Sequence, residues 1–217
     1  PAYRYRIAER FCLNHQASIS TDVWLHAVSL GEAIAATPLV NALLKKNYRV
    51  VITTMTPTGS QYVLKQFGQA VQHQYVPYDL PWCLRRFFKI YHPRLVMIME
   101  TELWPNLIYQ THQQRVPLLL LNARLSDHAL KQYKKTRFLF APILKKFTAI
   151  FAQSDEDAKR FIALGAPASK VLMLGNMKFD IQINPVIKDE ILWMKDRWGK
   201  KRTVVIAAST HEGEEKQ

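Results

Sequence analysis

The feature that most constrains this chain is a regular alternation of short, strongly apolar runs with longer helical stretches. Residues 23–28, 49–54, 95–99, 118–121, 148–152 and 171–174 read as strands, and 75–77 as a further short one. Between them, 32–46, 59–67, 82–91, 104–113, the segments running to 146, and 156–164 read as helices. Strands this apolar must be buried on both faces, which a sheet achieves when its strands are parallel and helices cover each side. The expected fold is therefore α/β, a doubly wound Rossmann-like parallel sheet. Ligands of such sheets sit at the carboxyl ends of the strands, so the loops there carry the chemistry.

The pattern changes at Asn184-Pro185. A helix over 187–198 is expected next, then a fresh apolar strand over 203–207 and a polar loop. One strand and one loop do not make a domain. We read 1–180 as one Rossmann-like domain, 181–202 as a linker with its helix, and 203–217 as the start of a second Rossmann-like domain.

Composition narrows the partners. Thirty Lys and Arg against 17 Asp and Glu give a net charge of +13, which suits a polyanionic partner: nucleic acid, an anionic membrane surface or a phosphorylated substrate. Cys12 and Cys83 lack metal-ligand spacing and read as free thiols, and His26, His112 and His211 are scattered. No apolar run approaches the ~18 residues of a membrane helix. No Gly-x-Gly-x-x-Gly, Walker or nucleophile-elbow motif occurs, so dinucleotide, NTP and serine-hydrolase sites are not supported.

The strand-end loops offer the candidate site residues. Ser29-Leu30-Gly31-Glu32 opens a helix after the first strand. Its backbone N–H groups suit an anion, and Glu32 is either a general base or a helix-start carboxylate answering the dipole. The helix N-terminus and the basic composition both favour the ionised form of Glu32. Thr53 to Ser60, with Thr56, Thr58 and Gly59, suits a phosphate or sugar, or is an ordinary capped turn. Glu100 and Glu102 stand two apart after the fourth strand and expected to share a side. Arg124 is an anion clamp or a partner for one of those carboxylates. Lys178, in Gly175-Asn176-Met177-Lys178-Phe179-Asp180, contacts an anion or an acidic neighbour.

Taken together these loops are more specific than any one of them. His26-Ala27-Val28-Ser29-Leu30-Gly31-Glu32, Thr54-Met55-Thr56-Pro57-Thr58-Gly59, Tyr78-Asp79-Leu80-Pro81, Glu100-Thr101-Glu102-Leu103-Trp104-Pro105-Asn106, Asn122-Ala123-Arg124-Leu125-Ser126, Gly175-Asn176-Met177-Lys178-Phe179-Asp180 and Ser209-Thr210-His211-Glu212-Gly213-Glu214-Glu215 follow one another in order. The set resembles the Kdo (3-deoxy-D-manno-octulosonic acid) transferases of Gram-negative bacteria, over nearly the whole chain. The resemblance implies a GT-B architecture, two Rossmann-like domains facing across a cleft, with this chain supplying the first. It implies an inverting transfer of Kdo from CMP-Kdo to the bisphosphorylated lipid A precursor, without a cofactor, at the cytoplasmic face of the inner membrane. Glu32 is then the catalytic base. Ser29, Gly31, Thr56, Thr58, Gly59, Glu102, Arg124, Lys178, Ser209, Thr210, His211, Glu212 and Gly213 are then substrate-binding residues. The chain departs from the family at His128-Ala129, where Arg-Ser is common.

The implied partners are CMP-Kdo, the lipid acceptor and a membrane surface, with no nucleic acid. An anchor upstream of Pro1 is expected from the resemblance. Tyr3, Arg4, Tyr5, Arg6, Arg10 and Phe11 read as a juxtamembrane stretch, to which the helix carrying Arg85, Arg86 and Lys89 could add Phe87 and Phe88 unless both are core. Two other functions fit the fold: a GT-B transferase using another nucleotide sugar, and a non-enzymatic domain binding anions or acidic lipid.

Overall fold

The computed structural model describes residues 6–13, 18–180, 185–198 and Val205. The expected strand over 203–207, Val205 apart, and the loop after it lie outside the described residues, as do Tyr3, Arg4 and Tyr5.

Strands β1 (Val23–His26), β2 (Val50–Thr54), β3 (Gln72–Tyr75), β4 (Leu95–Met99), β5 (Leu118–Ala123), β6 (Ala149–Ala152) and β7 (Val171–Met173) form one parallel sheet. Their order is β3-β2-β1-β4-β5-β6-β7. The side-chain period of two sends Trp24 and His26 to one face and Leu25 and Ala27 to the other. On the first face Trp24, Val96 and Ile98 pack with Phe87 and Tyr91 of α4 (Pro81–Tyr91), Leu107 of α5 (Pro105–Gln113) and Phe161 of α8 (Asp155–Leu164). On the second, Leu25, Ile52 and Met97 pack with Ala33, Ala36 and Val40 of α2 (Leu30–Lys45) and Val63 of α3 (Pro57–Phe67). The doubly wound sheet expected from the sequence is therefore present, with each strand's apolar run explained by cover on both sides.

The chain divides into two compact units, 1–181 and 182–217. Within the second, α9 (Pro185–Trp198) is a helix on which Arg197 lies over the Trp193 ring at 5.1 Å.

Three expectations need correction. The third strand runs over Gln72–Tyr75 rather than 75–77, because an edge strand tolerates polar side chains that find partners: His73 meets Thr54 Oγ1, and Gln74 accepts from the Tyr91 hydroxyl. Phe87 and Phe88 are core residues beneath Trp24, so the helix carrying Arg85, Arg86 and Lys89 presents those cations to solvent without the two phenylalanines. Arg10 and Phe11 are not a surface pair either. Arg10, at the end of α1 (Ile7–Arg10), is buried, donates to the Met55 carbonyl at 2.8 Å and lies over the Tyr75 ring; Phe11 stacks on Trp82. Both free cysteines are buried as well.

Candidate active site

The strand order reverses between β1 and β4, which send their connections to opposite faces of the sheet. The crevice at their carboxyl ends is the topological switch point where such sheets bind ligands. Two loops flank it, the one leading from β1 into α2 and the one leading from β4 into α5.

Ser29 is the N-cap of α2, with Oγ accepting from the Glu32 backbone N–H at 3.3 Å. The same hydroxyl donates to Glu32 Oε1 at 2.8 Å, and the Val28 backbone N–H donates to Oε2 at 2.8 Å. This is a capping box closed one residue further back than usual, and it folds the Glu32 side chain toward the end of β1. The carboxyl is buried. Burial pushes its pKa up to about 7, helped by the negative charges of Glu102 and Glu100, while the hydrogen bonds from Val28 and Ser29 pull the other way. The expectation that basic surroundings would keep Glu32 ionised is thus corrected, because burial raises its pKa and the charges that act on it are carboxylates. Glu32 is a helix-start carboxylate, and the same geometry leaves each oxygen a second lone pair.

That pKa has a consequence for stability. A carboxyl whose folded pKa exceeds its unfolded value stabilises the fold fully below the unfolded pKa, and the contribution is lost as pH rises through the folded one. Relative to wild type, Glu32→Gln should therefore gain stability between pH 4.5 and about 7, by up to about 1.4 kcal/mol per pH unit. His26 and His73, whose pKa burial lowers to about 4, give the opposite slope in both proteins and cancel in the comparison. Urea melts across pH 4–8 measure the difference; a difference independent of pH would contradict the shift.

Gly59 sets the distance between the first loop and its neighbour. A Cβ there would lie 3.0 Å from Thr56 Oγ1 and 3.3 Å from the Ser29 carbonyl carbon, so glycine lets α3 start against the loop that carries Glu32. Thr56 is the N-cap of α3 and accepts from the Gly59 N–H at 3.1 Å; Thr58 is exposed. Thr53 and Thr54 are fully buried and engaged with ring nitrogens, so they are structural. Gly31 is exposed, and a Cβ there would meet nothing nearer than Ser29 Oγ at 3.9 Å, so packing does not require glycine at that position.

On the β4 side the backbone turns at Glu100, which has a positive φ of 54°. Beyond the turn, Glu102 Oε2 accepts from the Trp104 indole N–H at 2.7 Å, and the Glu100 charge still acts on Glu102. Burial raises the Glu102 pKa and the Trp104 hydrogen bond opposes the rise. Glu102 and Trp104 line a pocket of about 380 Å³ together with Arg124, Ser126, Ala129 and Tyr133. Thr101 Oγ1 donates to the Arg124 carbonyl, tying the two loops together. Arg124 is exposed and makes no ion pair among the described residues, so its expected pairing with Glu100 or Glu102 is not formed. Its loop is fixed by Asp157, which accepts from the Leu125 N–H at 2.8 Å.

The structure thus brings Ser29, Gly31, Glu32, Thr56 and Gly59 together on one side of the crevice, and Glu102 and Arg124 on the other. Lys178 is exposed and does not line the pocket. Its segment is tied to the end of β5, where Asn122 Oδ1 accepts from the Met177 N–H at 3.0 Å. Ser209, Thr210, His211, Glu212 and Gly213 lie outside the described residues. Sequence reasoning missed Tyr133, seven positions after the N-cap Ser126 of α6 (Asp127–Lys135) and so on its inward face. It also gave no role to Asp79, which accepts from the first N–H groups of α5.

Residues 5–181 match the family described as 3-deoxy-D-manno-octulosonic-acid transferase (kdotransferase). The chain is similar to the 3-deoxy-D-manno-octulosonic acid transferases of Haemophilus influenzae (40% identical, 99% of this chain and 51% of the relative) and Bordetella pertussis (37%, 92% and 47%). It is also similar to a probable mitochondrial 3-deoxy-D-manno-octulosonic acid transferase of Arabidopsis thaliana (34%, 89% and 44%). The chain therefore spans about half the length of these relatives. Among solved structures it resembles a UDP-GlcNAc 2-epimerase from Neisseria meningitidis bound to UDP-GlcNAc, with a TM-score of 0.56 at 18% identity over 81% of this chain and 52% of that one. At that identity the likeness concerns the fold alone.

Proposed function

This chain belongs to the 3-deoxy-D-manno-octulosonic-acid (Kdo) transferase family, and we propose that it forms the acceptor side of an inverting transferase moving Kdo from CMP-Kdo to a bisphosphorylated lipid A precursor. The observation that carries the reading is Glu32: a buried carboxyl at the switch point, with a pKa near 7 and two lone pairs left free by its capping bonds. A general base works best with a pKa near the working pH, which an ordinary exposed glutamate lacks. A binding module would gain nothing from a carboxyl held in this state.

In the reaction, Glu32 takes the proton of the acceptor hydroxyl as that oxygen attacks the anomeric carbon of Kdo. The bond from that carbon to the CMP phosphate oxygen breaks, its electron pair leaves with CMP, and the anomeric configuration inverts. Glu102 and the Tyr133 hydroxyl accept and donate hydrogen bonds to the acceptor sugar, and Arg124 binds one of its phosphates. The exposed backbone at Gly31 and the Thr56–Thr58 turn gives the sugar close approach. Donor contacts fall to the second domain, which begins in this chain at about residue 203 and includes Ser209, Thr210, His211, Glu212 and Gly213; Lys178, an exposed cation, binds a substrate anion. No cofactor takes part. The lipid acceptor places the protein at the cytoplasmic face of the inner membrane, where the charge of +13 favours anionic headgroups; no helix among the described residues is long and apolar enough to cross a membrane.

Arg124→Ala should raise the KM for the lipid acceptor by roughly tenfold or more, as expected when a hydrogen bond to a charged group worth about 1.5–3 kcal/mol is lost, with little change in the KM for CMP-Kdo. An unchanged acceptor KM removes Arg124 from acceptor binding. The function itself is tested by product formation from CMP-Kdo and lipid A precursor. A chain extended to the relatives' full length should form Kdo-lipid, and the 217-residue chain none.

A further inference from the structure

His26 is the last residue of β1, fully buried on the face that carries Trp24, and its Cα partner on β2 is Thr53. Three side chains meet at the Thr53 hydroxyl. The Trp24 indole N–H, which can only donate, points at Thr53 Oγ1 from 2.8 Å, and His26 Nδ1 lies 3.0 Å from the same oxygen. With one lone pair of Thr53 taken by Trp24, the Thr53 proton is free to go to His26 Nδ1. The opposite tautomer, with Nδ1 protonated, could turn to the Thr53 backbone but would leave the Thr53 proton without its His26 acceptor. The Trp24 contact thus favours the neutral imidazole with its hydrogen on Nε2, and burial, which outweighs the Thr53 backbone hydrogen bond and lowers the pKa to about 4, keeps it neutral.

Nε2 is a buried atom with no oxygen or nitrogen partner. A polar hydrogen so placed is rare enough to require a reason. The neighbour that the structure supplies is the Trp104 indole, its centroid 5.1 Å from the imidazole with the rings at 75°, an edge-to-face contact. An N–H directed at an aromatic face is a weak but real acceptor contact. Trp104 in turn donates its own N–H to Glu102 Oε2 at 2.7 Å.

We propose that His26 is a positioning residue for Glu102: its Nε2–H, aimed by Thr53, fixes the plane of the Trp104 ring and through it the hydrogen bond that holds the Glu102 carboxylate. The relay runs from Trp24 through Thr53, His26 and Trp104 to Glu102, and it explains why a polar ring sits wholly inside an apolar layer. The functional weight of the relay rests on Glu102 belonging to the acceptor site, but its existence does not, so the test reads the ionisation of Glu102 rather than catalysis.

In the 217-residue chain, carboxyl ¹³C NMR follows the titration of Glu102, assigned with Glu102→Gln. Trp104→Phe removes the indole donor and should raise the Glu102 midpoint by about one unit. His26→Phe keeps an aromatic ring but deletes Nε2–H, and should raise the midpoint in the same direction. The double variant should move it no further than Trp104→Phe alone. An unchanged Glu102 midpoint in folded His26→Phe would overturn the proposal, as would full additivity of the two shifts. A measurement on wild-type His26 covers the case in which His26→Phe fails to fold. Long-range ¹H–¹⁵N spectra should show Nε2 protonated, with its proton moved upfield by the Trp104 ring and returned by Trp104→Leu. A bare Nε2, or a proton indifferent to Trp104→Leu, overturns the relay.

Discussion

Glu32→Gln, made in a chain extended to the relatives' full length, should lower kcat by the ~10²–10⁴-fold typical of a lost general base and leave KM for both substrates within a few-fold. The substitution suits the test because of the local geometry. Glutamine keeps the length of the side chain, and its amide oxygen can still accept from Val28 N–H or from Ser29 Oγ, so the start of α2 is preserved in part. What glutamine cannot do is take up a proton. Circular dichroism and a stability measurement should accompany the kinetics. A folded variant that retains near-normal turnover would remove Glu32 from the base role and return it to helix capping alone.

Asp79→Ala should destabilise the chain by roughly 2–3 kcal/mol, the cost of hydrogen bonds to a charged acceptor together with N–H groups left unsatisfied. Helix α5 begins at Pro105 and its N-cap is Trp104, a residue with no side-chain cap to offer. Asp79 supplies the missing cap from the loop after β3. Its Oδ1 accepts from the Leu107 N–H at 2.7 Å, its Oδ2 from the Asn106 N–H at 3.0 Å, and its carbonyl from Asn106 Nδ2 at 2.7 Å. The carboxylate also lies at the positive end of the helix dipole. Because Glu102 and Trp104 immediately precede this turn, loosening it should also lower turnover. Asp79→Asn, which keeps one acceptor, should fall between wild type and alanine. Urea unfolding of the 217-residue chain measures the effect, and an alanine variant within about 0.5 kcal/mol of wild type, the range of a featureless surface change, would show that the cap is not needed.

Much of this architecture was legible in the sequence, for a physical reason. Strands buried on both faces must be apolar throughout, so 95–99 and 118–121 stood out, and the helices between them fixed a parallel sheet. The boundaries that moved are those where a residue's local look misleads. β5 continues through Asn122 and Ala123 although asparagine suggests a loop; Asn122 is buried there and its Oδ1 accepts from the Met177 N–H. α3 begins at Pro57 rather than Gly59, since proline suits a first helical turn. β3 is polar because it lies at the sheet edge.

The carboxylates of the candidate site were legible at the strand ends, but their electrostatics were not. Ser29-Leu30-Gly31-Glu32 and Glu100-Thr101-Glu102 announced carboxylates at strand ends. A count of charges over the chain could not show that Glu32 is buried and within reach of Glu102 and Glu100, which belong to a loop distant in sequence. The same distance hid Asp79 on α5 and the contact of His26 with Trp104, each a product of the sheet order rather than of any local pattern.

We assign the base to Glu32, buried and with its pKa raised to about 7. The pH dependence of kcat/KM for the lipid acceptor, at saturating CMP-Kdo, tests it most directly, because that profile reports the ionisation of the essential base in the enzyme before the acceptor binds. The wild type should show an ascending limb with a midpoint near 7, lost from the residual activity of Glu32→Gln. An ascending limb that persists unchanged in Glu32→Gln would assign the base to another residue and contradict the account.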